Sequence, residues 1–276
     1  MFDLAVAYRI YPGISKIPPF HSTDKYKLSE MCLRSFKGAL GNLKVKVWAI
    51  LDGCPPEYET LFQDVFKGDA LEIVALNKKR NHKTFSRQID ILTAQTDAKY
   101  VYFSEDDYFY FPNALVKMID FVRKHRDVDF VTPYDHPDSY YTSSRFERHL
   151  VRPHGDRYWR TASSTCLTFL TSRATLIRTA SMLRTFSSGN WDCPVWLALT
   201  QKFGLVDPRV HMHDRFRLKI LALTWIWGFR RILFGRSYRL WVPLPTLSTP
   251  MESAFLAPLV DWQDTFRRAE EQRRAQ

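Results

Sequence analysis

The amino-acid sequence predicts an α/β fold, a mostly parallel sheet covered by helices on both faces. Two observations predict it. Through the first half of the chain, short apolar runs alternate with stretches of helical periodicity, the pattern of successive strand–helix–strand units. Asp52, Asn77 and the triplet Glu105-Asp106-Asp107 each fall where an apolar run ends. In parallel sheets the carboxyl ends of the strands line one crevice, and polar residues collect there.

The elements follow in order. Leu4 to Tyr8 reads as a short buried strand, followed by a loop with Pro12, Pro18 and Pro19. Leu28, Met31, Cys32, Leu33, Phe36 and Leu40 have helical spacing, and Gly41 is a stop. Val45 to Leu51 is a second strand, ended by Asp52-Gly53, and Tyr58 to Phe66 a helix. Leu71 to Leu76 is a third strand, and Thr84 to Ala94 a helix with Phe85, Ile89 and Leu92 along one side. Tyr100 to Ser104 is a fourth strand that runs into the acidic triplet. Pro112 stands near the start of a helix reaching about Lys124, and Phe130-Val131-Thr132 is a fifth strand. Residues 133–160 are rich in Tyr, His, Arg and Asp, lack periodicity, and read as a functional loop over the site. Thr165 to Leu170 is a strand; Ala174 to Leu183 and Asp192 to Phe203 are helices.

From Arg209 the composition changes. Arg215, Arg217, Lys219, Arg230, Arg231, Arg236 and Arg239 surround Trp225, Trp227, Phe229, Phe234, Tyr238 and Trp241. The expected organisation is one domain over residues 1–208 and a basic, aromatic extension over 209–276. That extension packs on the domain or lies on a membrane surface. Its end, Arg267 to Gln276, reads as a charged helical tail that frays.

The totals narrow the class. With 20 Phe, 13 Tyr and 8 Trp in 276 residues, the chain is built for a packed core and not for disorder. The four cysteines, Cys32, Cys54, Cys166 and Cys193, show no CxxC spacing. They read as reduced thiols of a cytoplasmic protein. The start of the chain has no signal-peptide pattern, and the longest apolar run, Ile220 to Phe229, is too short for a membrane span. The net charge of +11 points to an anionic partner: a phosphorylated substrate, an anionic membrane, or nucleic acid.

The acidic triplet carries the chemistry. Carboxylates suit magnesium or manganese, and such an ion neutralises a departing diphosphate. Two residues apart on an extended segment, Glu105 and Asp107 share a face, while Asp106 points away from them or toward a ribose.

Three segments, Ala49-Ile50-Leu51-Asp52-Gly53, Asn77 with Phe85-Ser86-Arg87-Gln88-Ile89, and Tyr102-Phe103-Ser104-Glu105-Asp106-Asp107, carry a resemblance to the family-2 glycosyltransferases of GT-A fold. It covers roughly residues 2 to 205. The resemblance implies transfer of a sugar from a nucleoside-diphosphate donor, a UDP-sugar, to a glycan or lipid-linked acceptor, with Mn2+ or Mg2+. It implies that Asp52 binds base or ribose, that Asn77, Arg87 and Asp106 contact the donor, and that Glu105 and Asp107 hold the metal. Glu105 departs from the usual Asp-x-Asp, and Lys78-Lys79-Arg80-Asn81-His82 stands where the family often has glycines. The family's late Asp, the base for an inverting reaction, corresponds to Asp192 in Gly189-Asn190-Trp191-Asp192. A helix N-cap would satisfy the same spacing. A late histidine falls on His211 or His213, with His213 taken as the metal ligand; exposed loop histidines are the plainer reading. Arg145, Arg148, Arg152 and Arg157 are candidate phosphate contacts or ordinary solvated charge. Residues 244–262 are similar to the closing segment of some bacterial members. The expected location is the cytoplasm, peripheral at the inner face of the plasma membrane. Rival readings are a nucleic-acid-binding or DNA-glycosylating protein, a two-metal phosphohydrolase, and a catalytically dead domain; no nucleic-acid recognition motif is present.

Overall fold

The computed structural model describes residues 1–14, 16–78, 80–141, 148–208 and 212–274. Among these, nine strands form one mixed sheet in the order β3-β2-β1-β4-β9-β6-β10-β8-β7. The first four are parallel: β1 (Phe2–Ile10), β2 (Val45–Asp52), β3 (Ala70–Leu76) and β4 (Ala98–Glu105). Three crossover helices make that possible: α1 (Lys25–Leu40), α2 (Pro56–Val65) and α3 (Arg80–Ala94). Beyond β4 the directions mix. β9 (Phe169–Ser172) runs antiparallel to both β4 and β6 (Phe130–Val131). β10 (Leu240–Leu244) is parallel to β6 and antiparallel to β8 (Arg157–Ala162).

Strand period 2 sorts the core. Leu4, Val6 and Tyr8 of β1 face a cluster built with Leu33, Phe36 and Phe62, whereas Ala5 and Ala7 face Phe85, Ile89 and Leu92 of α3. Small residues on the α3 side let that helix lie close to the strand. Tyr8 meets Phe36 and Phe62 edge-on at 5.3 and 5.4 Å, a geometry that adds about 0.5–1.5 kcal/mol per pair to the burial term. Asp24 caps α1 by accepting from the Lys27 N–H at 3.0 Å, and Pro56 opens α2, where its missing N–H costs nothing. α4 (Ala114–Lys124) packs on α1; α6 (Arg173–Arg184) and α7 (Asp192–Thr200) cover the other face.

Residues 133–160 are not an irregular loop throughout. A short helix, α5 (Asp138–Tyr141), is followed by the hairpin β7 (Val151–His154) and β8. β7 is one of the sheet's two edge strands, opposite β3, and alternates only between exposed and half-buried, so its pattern gave no apolar signal. Strand β9 lies later than the expected Thr165–Leu170, and α7 ends at Thr200, where Gln201 adopts a left-handed cap with φ 54°.

The segment from 209 onward enters the fold deeply. α8 (Arg215–Phe234) packs on α7 through Gly228, where a Cβ would come within 2.6 Å of the Ala198 Cβ. β10 then inserts inside the sheet between β6 and β8. β11 (Ser248–Pro250) pairs with β5 (Tyr108–Tyr110), the strand immediately after the acidic triplet. α9 (Trp262–Arg274) buries Trp262 and Phe266 against Phe109 and Phe111. Among the described residues, no helix is long and apolar enough to cross a membrane. All four cysteines are free thiols.

Candidate active site

Because β1 to β4 are parallel, their carboxyl ends share one edge. That edge carries Ile10-Tyr11, Asp52-Gly53, Asn77 and the acidic triplet. The ends of β2 and β3 are tied by Gly53 N–H donating to the Leu76 carbonyl at 2.8 Å. Gly53 has φ +70°, and a side chain there would meet Lys78 at 2.7 Å, so glycine is required for the turn that ends β2. Asp52 is buried at the end of its strand; Asn77 is exposed in the bend after β3.

Each carboxylate of the triplet faces a different cation. Glu105 accepts from Arg9 Nη2 at 2.5 Å and from Thr168 Oγ1 at 2.9 Å, so both its oxygens are engaged. Asp106 pairs with Lys25 at 2.6 Å and accepts the Tyr11 N–H at 3.2 Å. Asp107 lies 3.2 Å from Lys16, which also reaches Glu252 at 3.3 Å. The strand register explains the first pair: Arg9 and Glu105 are direct partners across β1 and β4. Arg9 is buried, lies over the Phe85 ring at 5.6 Å and also donates to Asn81. Gln88, from the same motif on α3, donates to the carbonyls of Ala7 and Ser104 at 2.7 and 3.0 Å and braces both strands just before these two residues. Burial raises the Glu105 pKa, against the lowering pull of Arg9. Burial pulls the Lys16 ammonium down, but Asp107 and Glu105 outweigh it and hold it above the usual lysine range. Lys25 behaves alike: burial works against its charge, and Asp106 prevails.

The acidic turn is held from behind. Met251 N–H donates to the Asp107 carbonyl and Phe111 N–H to the Leu247 carbonyl, while Ser253 N–H and hydroxyl fasten the Lys16 loop through the Ile17 carbonyl. The closing segment thus contributes backbone bonds to the turn that presents Asp107.

Asp192 opens α7 and accepts its neighbour's N–H, that of Cys193, at 2.7 Å; Trp191, not Asp192, is the N-cap. Burial raises the Asp192 pKa, opposed by the Cys193 N–H and by the charges of His136 and Lys16. The Cys166 thiol is pushed up by burial and by the charges of Asp192 and Glu105, and held back by that of Lys16. For His136, burial lowers the pKa against the carboxylates of Asp138, Asp192 and Asp135. Its Nδ1 accepts the Asp138 N–H at 3.1 Å, which leaves Nε2 to carry the proton of the neutral ring. Behind it, Asp135 is buried and paired with Arg160 at 2.6 Å.

Several expected residues lie elsewhere. Arg87 is exposed on α3 and lines a groove of about 460 Å3 with Lys46, Trp48 and Asp97, at the opposite ends of the strands. It is not brought to the crevice, because as the residue next to the inward-facing Gln88 it lies about 100° round α3 from it. His213 is exposed in the turn before α8. Among the described residues no three His, Cys, Asp or Glu side chains are grouped to hold a metal. Asp214 caps α8 by accepting from the N–H groups of Phe216 and Arg217 at 3.0 and 3.1 Å. Arg152 grips Asp127 with two bonds at 2.9 and 3.0 Å, and Arg157 holds Asp156 and the Pro245 carbonyl. Arg145 and His211 fall outside the described residues.

Sequence reasoning missed Arg9, Lys16, Lys25 and His136. Arg9 had a signal, a charge within an otherwise apolar strand; the two lysines sit in or just after a loop whose path only the tertiary fold sets.

The sequence matches no protein-family model and no curated protein. Among solved structures it is similar in outline to S. aureus TarS 1-349, with TM-score 0.44 and 11% identity over 83% of this chain and 71% of that one. For S. aureus TarS the values are 0.41 and 12%, over 85% of this chain and only 44% of that chain's length. For CMP:2-keto-3-deoxy-manno-octonic acid synthetase complexed with CTP they are 0.39 and 14%, over 67% and 82%. Likenesses this distant leave the functional reading to the site itself.

Proposed function

We propose that the chain is a glycosyltransferase of GT-A type that moves a sugar from a nucleoside diphosphate, a UDP-sugar, to a hydroxyl acceptor with inversion, in polysaccharide or glycolipid synthesis. The observation that carries it is the strand edge shared by Asp52, Asn77 and the acidic triplet, with Asp192, a carboxylate whose pKa burial raises, near enough to Lys16 to feel its charge.

In this reading Asp52 and Asp106 take the nucleoside, and Asn77 lies beside it at the neighbouring strand end. Asp192 accepts the proton of the acceptor hydroxyl as its oxygen bonds to the anomeric carbon. The bond from that carbon to the diphosphate breaks, and its electron pair leaves with the diphosphate. A base must hold a proton for part of the reaction, and burial raises the proton affinity of Asp192 for that task. Lys16, within reach of Asp107 and Glu252, supplies positive charge beside the leaving group.

The residues fit a divalent ion in part. Glu105 does not: both its oxygens are satisfied by Arg9 and Thr168. Asp107 does, because magnesium-type ions use one or two carboxylates and take the rest of their shell from phosphates and water. Such an ion, when bound, supplies Lewis-acid neutralisation of the diphosphate.

The test is a thermal-shift screen of nucleoside diphosphates with and without manganese. A ligand at 100 times its dissociation constant stabilises by about 2.7 kcal/mol, so UDP should register clearly. Asp107→Ala should abolish the manganese-dependent part of the shift. A chain that no nucleoside diphosphate stabilises is not a nucleotide-sugar transferase.

A further inference from the structure

α8 buries a narrow stripe against the protein, with Leu221 and Ile232 half-buried beside it and Trp225 stacked on Phe203 at its margin. Ile220, Thr224 and Gly228, spaced one turn apart, are its buried residues and face α7. The opposite side is apolar as well. At about 100° per residue, Leu218, Ala222, Trp225, Ile226, Phe229 and Leu233 fall in one sector away from that stripe. Ile226 is 67% exposed, Leu233 59% and Phe229 47%. Lys219 and Arg230 run along the flank of this sector, with Arg215 at its amino-terminal end. A helix apolar on both faces is expected to be covered on both.

The charge around the sector selects what covers it. In a two-fold contact the same patch meets itself, which would bring the cations Arg215, Lys219 and Arg230 of one copy onto a patch that carries the same cations. An anionic lipid surface instead offers acyl chains to the apolar sector and phosphates to the cations, and tryptophan favours that interface. A groove of about 390 Å3 adjoins the sector on the α6 side, lined by Trp227, Arg230, Arg231 and Phe234 of α8 with Met182 and Thr185. Arg231 lies over the Tyr238 ring at 4.4 Å, and its buried Nε has no hydrogen-bond partner. Its Nη2 donates to the Arg236 carbonyl at 2.9 Å, so the groove holds Arg230 and a partly engaged Arg231 beside Trp227 and Phe234, chemistry suited to a lipid phosphate.

We propose that α8 docks the protein on an anionic lipid bilayer, its apolar sector in the acyl boundary and its basic flank on the headgroups. The amino-terminal end of α8 adjoins the crevice: Phe216 stacks on Trp191 at 5.7 Å, and Lys219 lies over the same indole at 4.5 Å. Trp191 directly precedes Asp192. Docking would therefore bring the proposed base to the lipid surface and make the acceptor a hydroxyl carried on a lipid anchor. This last step, unlike the docking itself, rests on the transferase reading.

The test is co-sedimentation of the full chain with vesicles of phosphatidylcholine alone or mixed with phosphatidylglycerol. Binding is expected to the mixed vesicles, at least about tenfold weaker without phosphatidylglycerol and falling with added salt. Ile226→Ser with Phe229→Ser should lose the binding, as should Lys219→Glu with Arg230→Glu. Both proteins should keep the circular dichroism of the parent and a cooperative melt, since these side chains are exposed; the charge-reversed protein should melt only slightly lower, by the modest worth of the Lys219–Trp191 contact it loses. No binding to mixed vesicles at low salt overturns the proposal. So does a parent dimer by light scattering that Ile226→Ser with Phe229→Ser converts to monomer, because a second copy then covers the sector. The UDP thermal shift is read on the same samples: vesicle binding without it sinks only the transferase reading, and the shift without vesicle binding sinks only the docking.

Discussion

Asp192 and Glu105 are both carboxylates whose pKa burial raises, yet they call for different experiments. Asp192→Asn removes a base, so transfer should fall by about 10²–10⁴-fold while UDP binding persists. The native activity should also drop as pH falls through the Asp192 pKa, and burial places that limb above the ordinary aspartate value of 3.8. A raised carboxylate pKa means that ionisation opposes folding at neutral pH. Asp192→Asn should therefore leave the melting temperature unchanged or higher, which separates it from structural damage. Glu105→Gln sets the same burial cost against an ion pair. It leaves the buried Arg9 guanidinium facing a neutral amide, so denaturant unfolding at pH 7 should show a loss of about 3 kcal/mol where the Arg9 pair outweighs burial of the carboxylate. An unchanged or higher stability would show that burial outweighs the pair. Of the triplet, Asp107 was legible in sequence as a crevice residue, and so was the unusual position of Glu105. That Glu105 belongs to Arg9 was not legible, because the partner is 96 residues away and is set by strand register.

At the scale of elements, Asp127 joins β7 to the lead into β10. It accepts two bonds from Arg152 of β7 and one from Arg239 at 2.5 Å. These bonds, the Arg152 pair foremost, lower its pKa to about 2. A depressed carboxylate pKa contributes stability that is present above the unfolded value of 3.8 and is lost as pH falls through about 2. The site is about a third exposed, so Asp127→Asn should cost only about 1 kcal/mol at pH 7. The difference from the parent should shrink in unfolding curves taken near pH 2. A cost that persists there would assign the effect to packing. The hairpin these bonds secure was hidden in sequence, since an edge strand carrying Arg152 and His154 shows no apolar alternation. The parallel half was readable because β1, β2 and β4 are buried on both faces and its helices have one apolar side.

For the whole molecule, the decisive element is β10. It lies inside the sheet, between strands contributed by residues 130–131 and 157–162, and Trp241 is fully buried on it. Residues 209–276 also supply β11 and α9, which back the turn that presents Asp107. A chain ending at residue 208 would expose the facing edges of β6 and β8 and lose the bonds behind Asp107. It should be insoluble or molten by near-ultraviolet circular dichroism, and cooperative unfolding of that fragment would show instead that residues 1–208 fold alone.

By itself the sequence determined the alternation of strand and helix, the polar residues at the strand ends, and the change of composition near residue 209. Each of these is a local property of period, turn chemistry or charge. Only the tertiary structure decided which cation answers each carboxylate, that Arg87 faces away from the crevice, and that the basic, aromatic segment both completes the sheet and leaves one helix face uncovered. Those outcomes depend on register and crossover, which bring together residues far apart along the chain.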